Sequence, residues 1–228
     1  MITGLIREEL LSSGATVVGI ASLRGVLHDD IAHLDTAISI GVDKNLNEDT
    51  ISLLVSLQKK AAKRLKREGY RYFCIPPDSD RIKNKFVSSL FSFFPHKMAA
   101  TSAGIGWIGK NGLLISAEYG PRLSLATVIT DAPLQVSAPI EYSFCGECSL
   151  CVEFCPSGSL TGNFWSRVEP FIELIKLDRC NTHKSKSRAL NGKPNCGLCI
   201  NICPYGRKEI REKAREREIN SGFEEVRV

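Results

Sequence analysis

Residues 145–156 read CGECSLCVEFCP, which is Cys145-x2-Cys148-x2-Cys151-x3-Cys155-Pro156. Three cysteines at three-residue spacing wrap a short loop around one cube of iron and sulfide. A fourth, just before proline, points its thiolate away toward a second cube. The proline turns the chain and removes a competing N–H. A partial copy follows at Cys196-x2-Cys199-x3-Cys203-Pro204. Lys193 stands where its first cysteine would be, and Cys180, upstream, is the natural replacement. The count then closes. One [4Fe–4S] cluster takes Cys145, Cys148, Cys151 and Cys203, and the other takes Cys155, Cys180, Cys196 and Cys199.

Zinc also accepts four thiolates from CxxC pairs. Two features favour clusters. The first run holds one cysteine more than a zinc knuckle uses, and both runs end in Cys-Pro. The ninth cysteine, Cys74, sits in the apolar run Tyr72-Phe73-Cys74-Ile75 and reads as a buried core thiol.

Working outward, the chain has 228 residues, 43% of them apolar and 24% charged. That is enough for one or two domains with a real core. Nine cysteines in a reducing compartment point to metal rather than disulfides. Residues 1–11 place Arg7, Glu8 and Glu9 where a secretory signal would need an unbroken apolar run, and no stretch reads as a membrane span. The expected location is therefore cytoplasmic, away from the membrane. The net charge is only +5, but Lys59–Arg71 and Arg179–Lys193 are basic runs. They read first as a solvated helix face and a polar loop, and otherwise as surfaces for nucleic acid or an acidic electron donor.

The N-terminal part alternates between helical and strand spacing. Leu5, Ile6, Leu10 and Leu11 predict a helix stopped by Gly14. Residues 15–21 and 36–42 predict strands. Asn47 caps a long helix with an Ile51, Leu54, Val55, Gln58, Ala61, Ala62 and Leu65 stripe, ended by Gly69. A strand at 70–75 precedes Pro76-Pro77, and a helix runs from Asp80 toward Phe94. Residues 112–116 and 123–130 predict two strands joined at Tyr119-Gly120-Pro121. The fold class is α/β (α+β): a helix-covered sheet domain over 1–138, then a ferredoxin-like two-cluster module over 139–206. A charged C-terminal helix or tail occupies 207–228. Residues 132–141, with two prolines, read as the linker.

Residues 103–112 contain Gly104, Gly106 and Gly109 in a GxGxxG pattern. Dinucleotide binding needs a strand before such a pattern and a helix after it, and the order here is reversed. The spacing around Lys110 is not that of a phosphate-binding loop either. The pattern reads as a tight turn, or as a place where backbone approaches a large flat ligand.

The stretch Lys97-Met98-Ala99-Ala100-Thr101-Ser102-Ala103-Gly104-Ile105-Gly106-Trp107-Ile108-Gly109-Lys110-Asn111 resembles epoxyqueuosine reductases. So do Glu118-Tyr119-Gly120, Thr130-Asp131 and the cysteine module beyond them. These are cobalamin-dependent iron–sulfur enzymes of queuosine synthesis in tRNA, related to reductive dehalogenases. The resemblance implies a short form, without the family's C-terminal helical repeat domain. It implies cobalamin near Gly104, Gly106, Trp107, Gly109, Lys110 and Asn111, with electrons passing through both clusters to cobalt. The family's proton-donating aspartate falls at His96 here, which with Lys97 makes the candidate catalytic pair.

Three functions are consistent with these readings. The first is an oxidoreductase acting on an unknown small-molecule or tRNA-borne substrate, fed by a donor protein such as a ferredoxin or flavodoxin. The second is an electron-transfer protein without its own substrate. The third is a tRNA-binding relative using the basic runs.

Overall fold

The computed structural model describes residues 2–27, 31–77, 96–191 and 196–207. The helix expected from Asp80 toward Phe94 and the C-terminal helix lie outside the described residues. Two compact units are present. One comprises Met1–Gly106 and Leu123–Ile140, the other Trp107–Arg122 and Glu141–Val228. Residues 107–122 thus group with the cysteine module rather than with the sheet domain in which the sequence places them.

The first unit is built on a four-stranded sheet. α1 (Ile2–Ser12) comes first, and its stop is Gly14 at a φ of 104°. β1 (Val17–Ser22), β2 (Thr36–Asp43), α2 (Glu48–Arg67), β3 (Tyr72–Ile75) and α3 (His96–Ser102) follow. The fourth strand is the 123–130 segment, described below as β6. Asn47 caps α2 as its sequence predicts, accepting from the Thr50 N–H at 2.8 Å. The buried stripe of α2 is turned slightly from expectation. Leu57 is fully buried, while Ile51 and Val55 are only half-buried.

In the second unit β4 (Trp107–Ile108) pairs antiparallel with β5 (Leu114–Ile115). β6 (Leu123–Thr130) returns to the first unit, giving the sheet order β1-β2-β6-β3 with every pair antiparallel. β5 and β6 therefore belong to different sheets, although the sequence reads them as joined neighbours. Ser116 and Gly120 close the loop between them through two backbone hydrogen bonds.

Alternation along the strands covers both faces of the sheet. Ile20, Ile38, Ile40 and Val128 meet Ile6, Leu10, Leu54, Leu57 and Leu65 from α1 and α2. Ala21, Ala37, Ile75 and Ile129 meet Ala99 and Ala103 at α3. A Cβ at Gly19 would lie 2.7 Å from the Ala103 carbonyl oxygen, so glycine is what lets α3 settle on β1.

The expected linker is not a free connector. Gln135, Ser137 and Ile140 donate their N–H groups to Thr3 Oγ1, Ile20 C=O and Thr101 C=O. Its prolines prevent a regular strand, but these three amides find partners on the first unit. Among the described residues no helix is long and apolar enough to cross a membrane.

The second unit continues with α4 (Leu150–Glu153), α5 (Leu177–Asn191) and α6 (Leu198–Asn201). The basic run from Arg179 is thus mostly helix, not the polar loop expected. α4 and α6 are internal copies. Val152 N–H bonds Ser149 C=O as Ile200 N–H bonds Gly197 C=O, and Phe154 N–H bonds Leu150 C=O as Ile202 N–H bonds Leu198 C=O.

Candidate metal centre

The cysteine spacing acts through these short elements. α4 carries Cys151, α6 carries Cys199 and α5 carries Cys180, with the other five in the flanking loops. Eight thiols fall into two neighbourhoods. Burial pushes Cys151 up to about 11, and Cys145, Cys203, Cys148 and Cys199 push the same way. Burial also raises Cys199, with Cys180, Cys196 and Cys155 adding to it. The structure therefore brings together Cys145, Cys148, Cys151 and Cys203, and separately Cys155, Cys180, Cys196 and Cys199. Cys199 near Cys151 makes the two groups adjacent.

Their number bears on which metal fits: a four-iron cube takes four thiolates, one to each iron, and each group supplies four. Thiols raised by burial and by each other stay protonated until iron supplies positive charge, so loading releases protons.

The two groups differ in what surrounds them. Near the first, Cys203 is raised by burial against a backbone bond from Tyr205 N–H. Lys110 is buried, and its Nζ donates to the carbonyls of Gly146 and Cys148, both at 3.0 Å. Its ammonium also lies 4.3 Å from the centroid of Phe164. Near the second, burial acts upward on Cys155, but the Ser157 hydroxyl and the Ser159 N–H, each 3.4 Å from Sγ, outweigh it. That thiol falls to about 7. Asn111 Nδ2 donates to the Cys199 carbonyl at 3.2 Å.

The remaining candidate residues sit as follows. Gly104 has a φ of 70°, and a Cβ there would meet the Ala138 carbonyl oxygen at 2.7 Å. Gly106 is buried at the end of the first unit's segment. A Cβ at Gly109 would strike Ile115 Cγ1 at 2.7 Å, within the β4–β5 turn. Trp107 is buried and edge-on to Phe144 and Tyr205, and its Nε1–H has no hydrogen-bond partner among the described residues. That uncommitted donor fits a ligand rich in amides, as a corrin is. Gly104, Gly109, Lys110 and Asn111 have packing or hydrogen-bond reasons of their own.

His96 opens α3. Its Nε2 lies 2.9 Å from the Pro76 carbonyl oxygen and its Nδ1 2.8 Å from Thr127 Oγ1. A carbonyl only accepts, so Nε2 carries a proton, and a neutral ring satisfies both bonds by accepting from Thr127. Gln58 Nε2 continues this seam, donating to Ile75 and Thr127 carbonyls at 2.7 and 2.8 Å. The sequence reading does not single out Thr127, Ser157, Ser159 or Tyr205. A Cys-Pro-x-Gly repeat at 155–158 and 203–206 was the available clue for Ser157 and Tyr205.

Fold and thiol geometry define the class: an α+β protein with a two-cluster iron–sulfur module. Residues 144–206 match the 4Fe-4S double cluster binding domain family. The chain is similar to epoxyqueuosine reductases. It is 39% identical over 111 residues to that of Listeria monocytogenes, covering 47% of this chain and 28% of the relative. The chain thus spans about a third or less of that relative's length. Its fold is also that of an epoxyqueuosine reductase solved with an epoxyqueuosine-modified tRNA-Tyr stem loop. The TM-score is 0.61 at 17% identity, over 92% of this chain and 69% of the other. A reductive dehalogenase whose structure suggests a mechanism for B12-dependent dehalogenation matches with TM-score 0.61 at 20% identity, over 91% and 33%.

Proposed function

We propose that this chain is an iron–sulfur reductase of the epoxyqueuosine reductase type. The observation that carries this is the gathering of eight cysteines into two adjacent groups of four. In this reading Cys145, Cys148, Cys151 and Cys203 hold one [4Fe–4S] cluster, and Cys155, Cys180, Cys196 and Cys199 hold the other. Cobalamin, when bound, supplies the two-electron chemistry on substrate. Trp107 Nε1–H, unpartnered among the described residues, is a donor available to it, and the family resemblance puts Gly109, Lys110 and Asn111 beside it. His96, once protonated on both ring nitrogens, is the acid that delivers a proton to the substrate, with Lys97 beside it. An acidic ferredoxin or flavodoxin supplies electrons and meets basic side chains such as Arg179 and Lys186. Similarity to a reductase solved with a tRNA stem loop supports a tRNA-borne substrate.

A second reading has its own support. Lys110 and Asn111 are already committed to cysteine-loop carbonyls. That favours an electron-transfer protein with no cofactor beyond its clusters. Anaerobic reconstitution followed by titration with cobalamin separates the two. About eight irons per chain with a corrin absorbance change at micromolar cobalamin supports the reductase. Eight irons with no corrin binding selects electron transfer. Stoichiometric zinc without iron–sulfur absorption sinks both. With cobalamin bound, His96→Gln should keep iron and corrin but lose turnover.

A further inference from the structure

Lys110 is 6% exposed, and among the described residues no carboxylate is paired with it. Burying an ammonium is costly unless negative charge lies close by. Its hydrogen bonds go to Gly146 and Cys148 carbonyls, inside the loop that carries Cys145, Cys148 and Cys151. It lines the same cavity as these three cysteines and Cys203. Four thiolates around an iron–sulfur cube are a net negative charge, which grows by one unit on reduction. A fixed cation in that wall therefore favours the reduced cube.

Among the described residues the other group has no buried lysine or arginine against its loop; Arg179 and Lys186, which share a cavity with Pro156 and Ser157, are exposed. That loop is held by the neutral amide of Asn111, next in sequence, and Ser157 and Ser159 bond Cys155 as neutral donors. Lys176 and Arg179, near Cys180 in sequence, are exposed, where water screens their charge.

We propose that Lys110 is the built-in counter-charge of the cluster held by Cys145, Cys148, Cys151 and Cys203, making it the more readily reduced of the two. This rests on the two-cluster reading above. An electron delivered by a donor protein then settles on that cluster, whichever cluster receives it first.

The test is an EPR-monitored redox titration of the full chain, anaerobically loaded with iron and sulfide. Lys110→Gln keeps a donor for the loop and removes the charge. At a fixed potential it should lower the reduced-to-oxidised ratio of one cluster about tenfold, a midpoint change of about 59 mV for one electron. The other cluster should stay put, and Lys110→Arg should leave both near wild type. Ser157→Ala should move only the other cluster. The proposal is overturned if Lys110→Gln holds full iron with neither midpoint moved, or moves both alike. It is also overturned if Ser157→Ala moves the same cluster. Should Lys110→Gln fail to hold its cluster, Lys110→Arg decides. Wild-type iron and midpoint there support the charge, and loss of the cluster or a displaced midpoint there overturns it. Wild-type protein that never loads two clusters fails the underlying reading instead, and iron analysis alone reveals that.

Discussion

Gly206 closes the second Cys-Pro turn, and replacing it with alanine tests whether backbone packing there holds a cluster ligand. Its φ is 77°, and an added Cβ would lie 2.5 Å from the Tyr119 carbonyl oxygen and 2.6 Å from the Gly120 nitrogen. Ordinary contact begins near 3.4 Å, so the two segments must part by about 1 Å, an overpacking that costs about 1–3 kcal/mol. The left-handed backbone adds about 1 kcal/mol. Tyr205 and Gly206 are also held by a Tyr205 hydroxyl bond to Phe144 C=O at 2.8 Å and an Arg122 bond to Gly206 C=O at 2.9 Å. The strain therefore passes back along the chain to Cys203. Metal–ligand distances tolerate about 0.2 Å, so the cluster that uses Cys203 should be lost. Iron per chain, measured after anaerobic reconstitution, should fall from about eight to about four. Gly197→Asn is the control. Gly197 has a φ of 64° with nothing within 4 Å of an added Cβ, and asparagine tolerates that region at a cost below about 1 kcal/mol. Full iron in Gly206→Ala, or equal iron loss in Gly197→Asn, refutes the reasoning.

Cys180→Ser should leave about four irons, with one cluster's EPR signal intact, because Cys180 acts on Cys199 but not on Cys151 or Cys203. Iron unchanged from wild type would remove Cys180 from the ligand set. Gln58→Leu strands two buried carbonyls, Ile75 and Thr127. It should cost about 2–4 kcal/mol in urea unfolding without changing iron content. Asp131 accepts from Arg71 N–H and Nε at 2.8 and 2.7 Å. Burial acts upward on this carboxyl, but the Arg71 bonds outweigh it and hold it below the ordinary range. A depressed folded value stabilises above the unfolded value of about 4, and that stability is lost as pH falls through the folded value. Asp131→Asn should therefore cost about 0.5–1 kcal/mol at pH 7 and almost nothing near pH 2, as read by denaturant midpoints.

Local rules made much of this molecule legible. Asn47 caps where its side chain says it should, and Gly14 and Gly69 end helices at positive φ. Counting four thiolates per cube, with the pre-proline cysteine of each run crossing over, leads to two groups of thiols that lie near one another in the fold, and their ligation is the proposal made above. The features that were not legible depend on partners distant in sequence. Trp107-Ile108 is too short to announce a strand, and becomes one only by pairing with Leu114 and Ile115. Residues 132–140 look like a linker until their amides find Thr3, Ile20 and Thr101. Gln58 was read as one member of an apolar stripe. A polar residue at such a position marks a buried acceptor elsewhere, and here there are two, in β3 and β6.

The glycine-rich stretch shows how one motif divides into two physical jobs. Gly104, after α3, needs its left-handed φ and its missing Cβ because the chain at Ala138 passes directly over it, all within the first unit. Gly109 needs its missing Cβ for Ile115 and Asn111, all within the second. The division falls between Gly106 and Trp107. Beyond Gly109, side chains rather than missing Cβ atoms make the contacts. The turn that accepts the Gly112 N–H at Gly109 C=O sends Lys110 to one cysteine loop and Asn111 to the other. Neighbouring residues of one tight turn thus brace two cysteine groups, one with a charge and one with a neutral amide. A GxGxxG reading looks for phosphate at such glycines, because backbone approaches closely there. The close approach is real, but the chain meets itself, and the polar side chains it aims serve the cysteine loops.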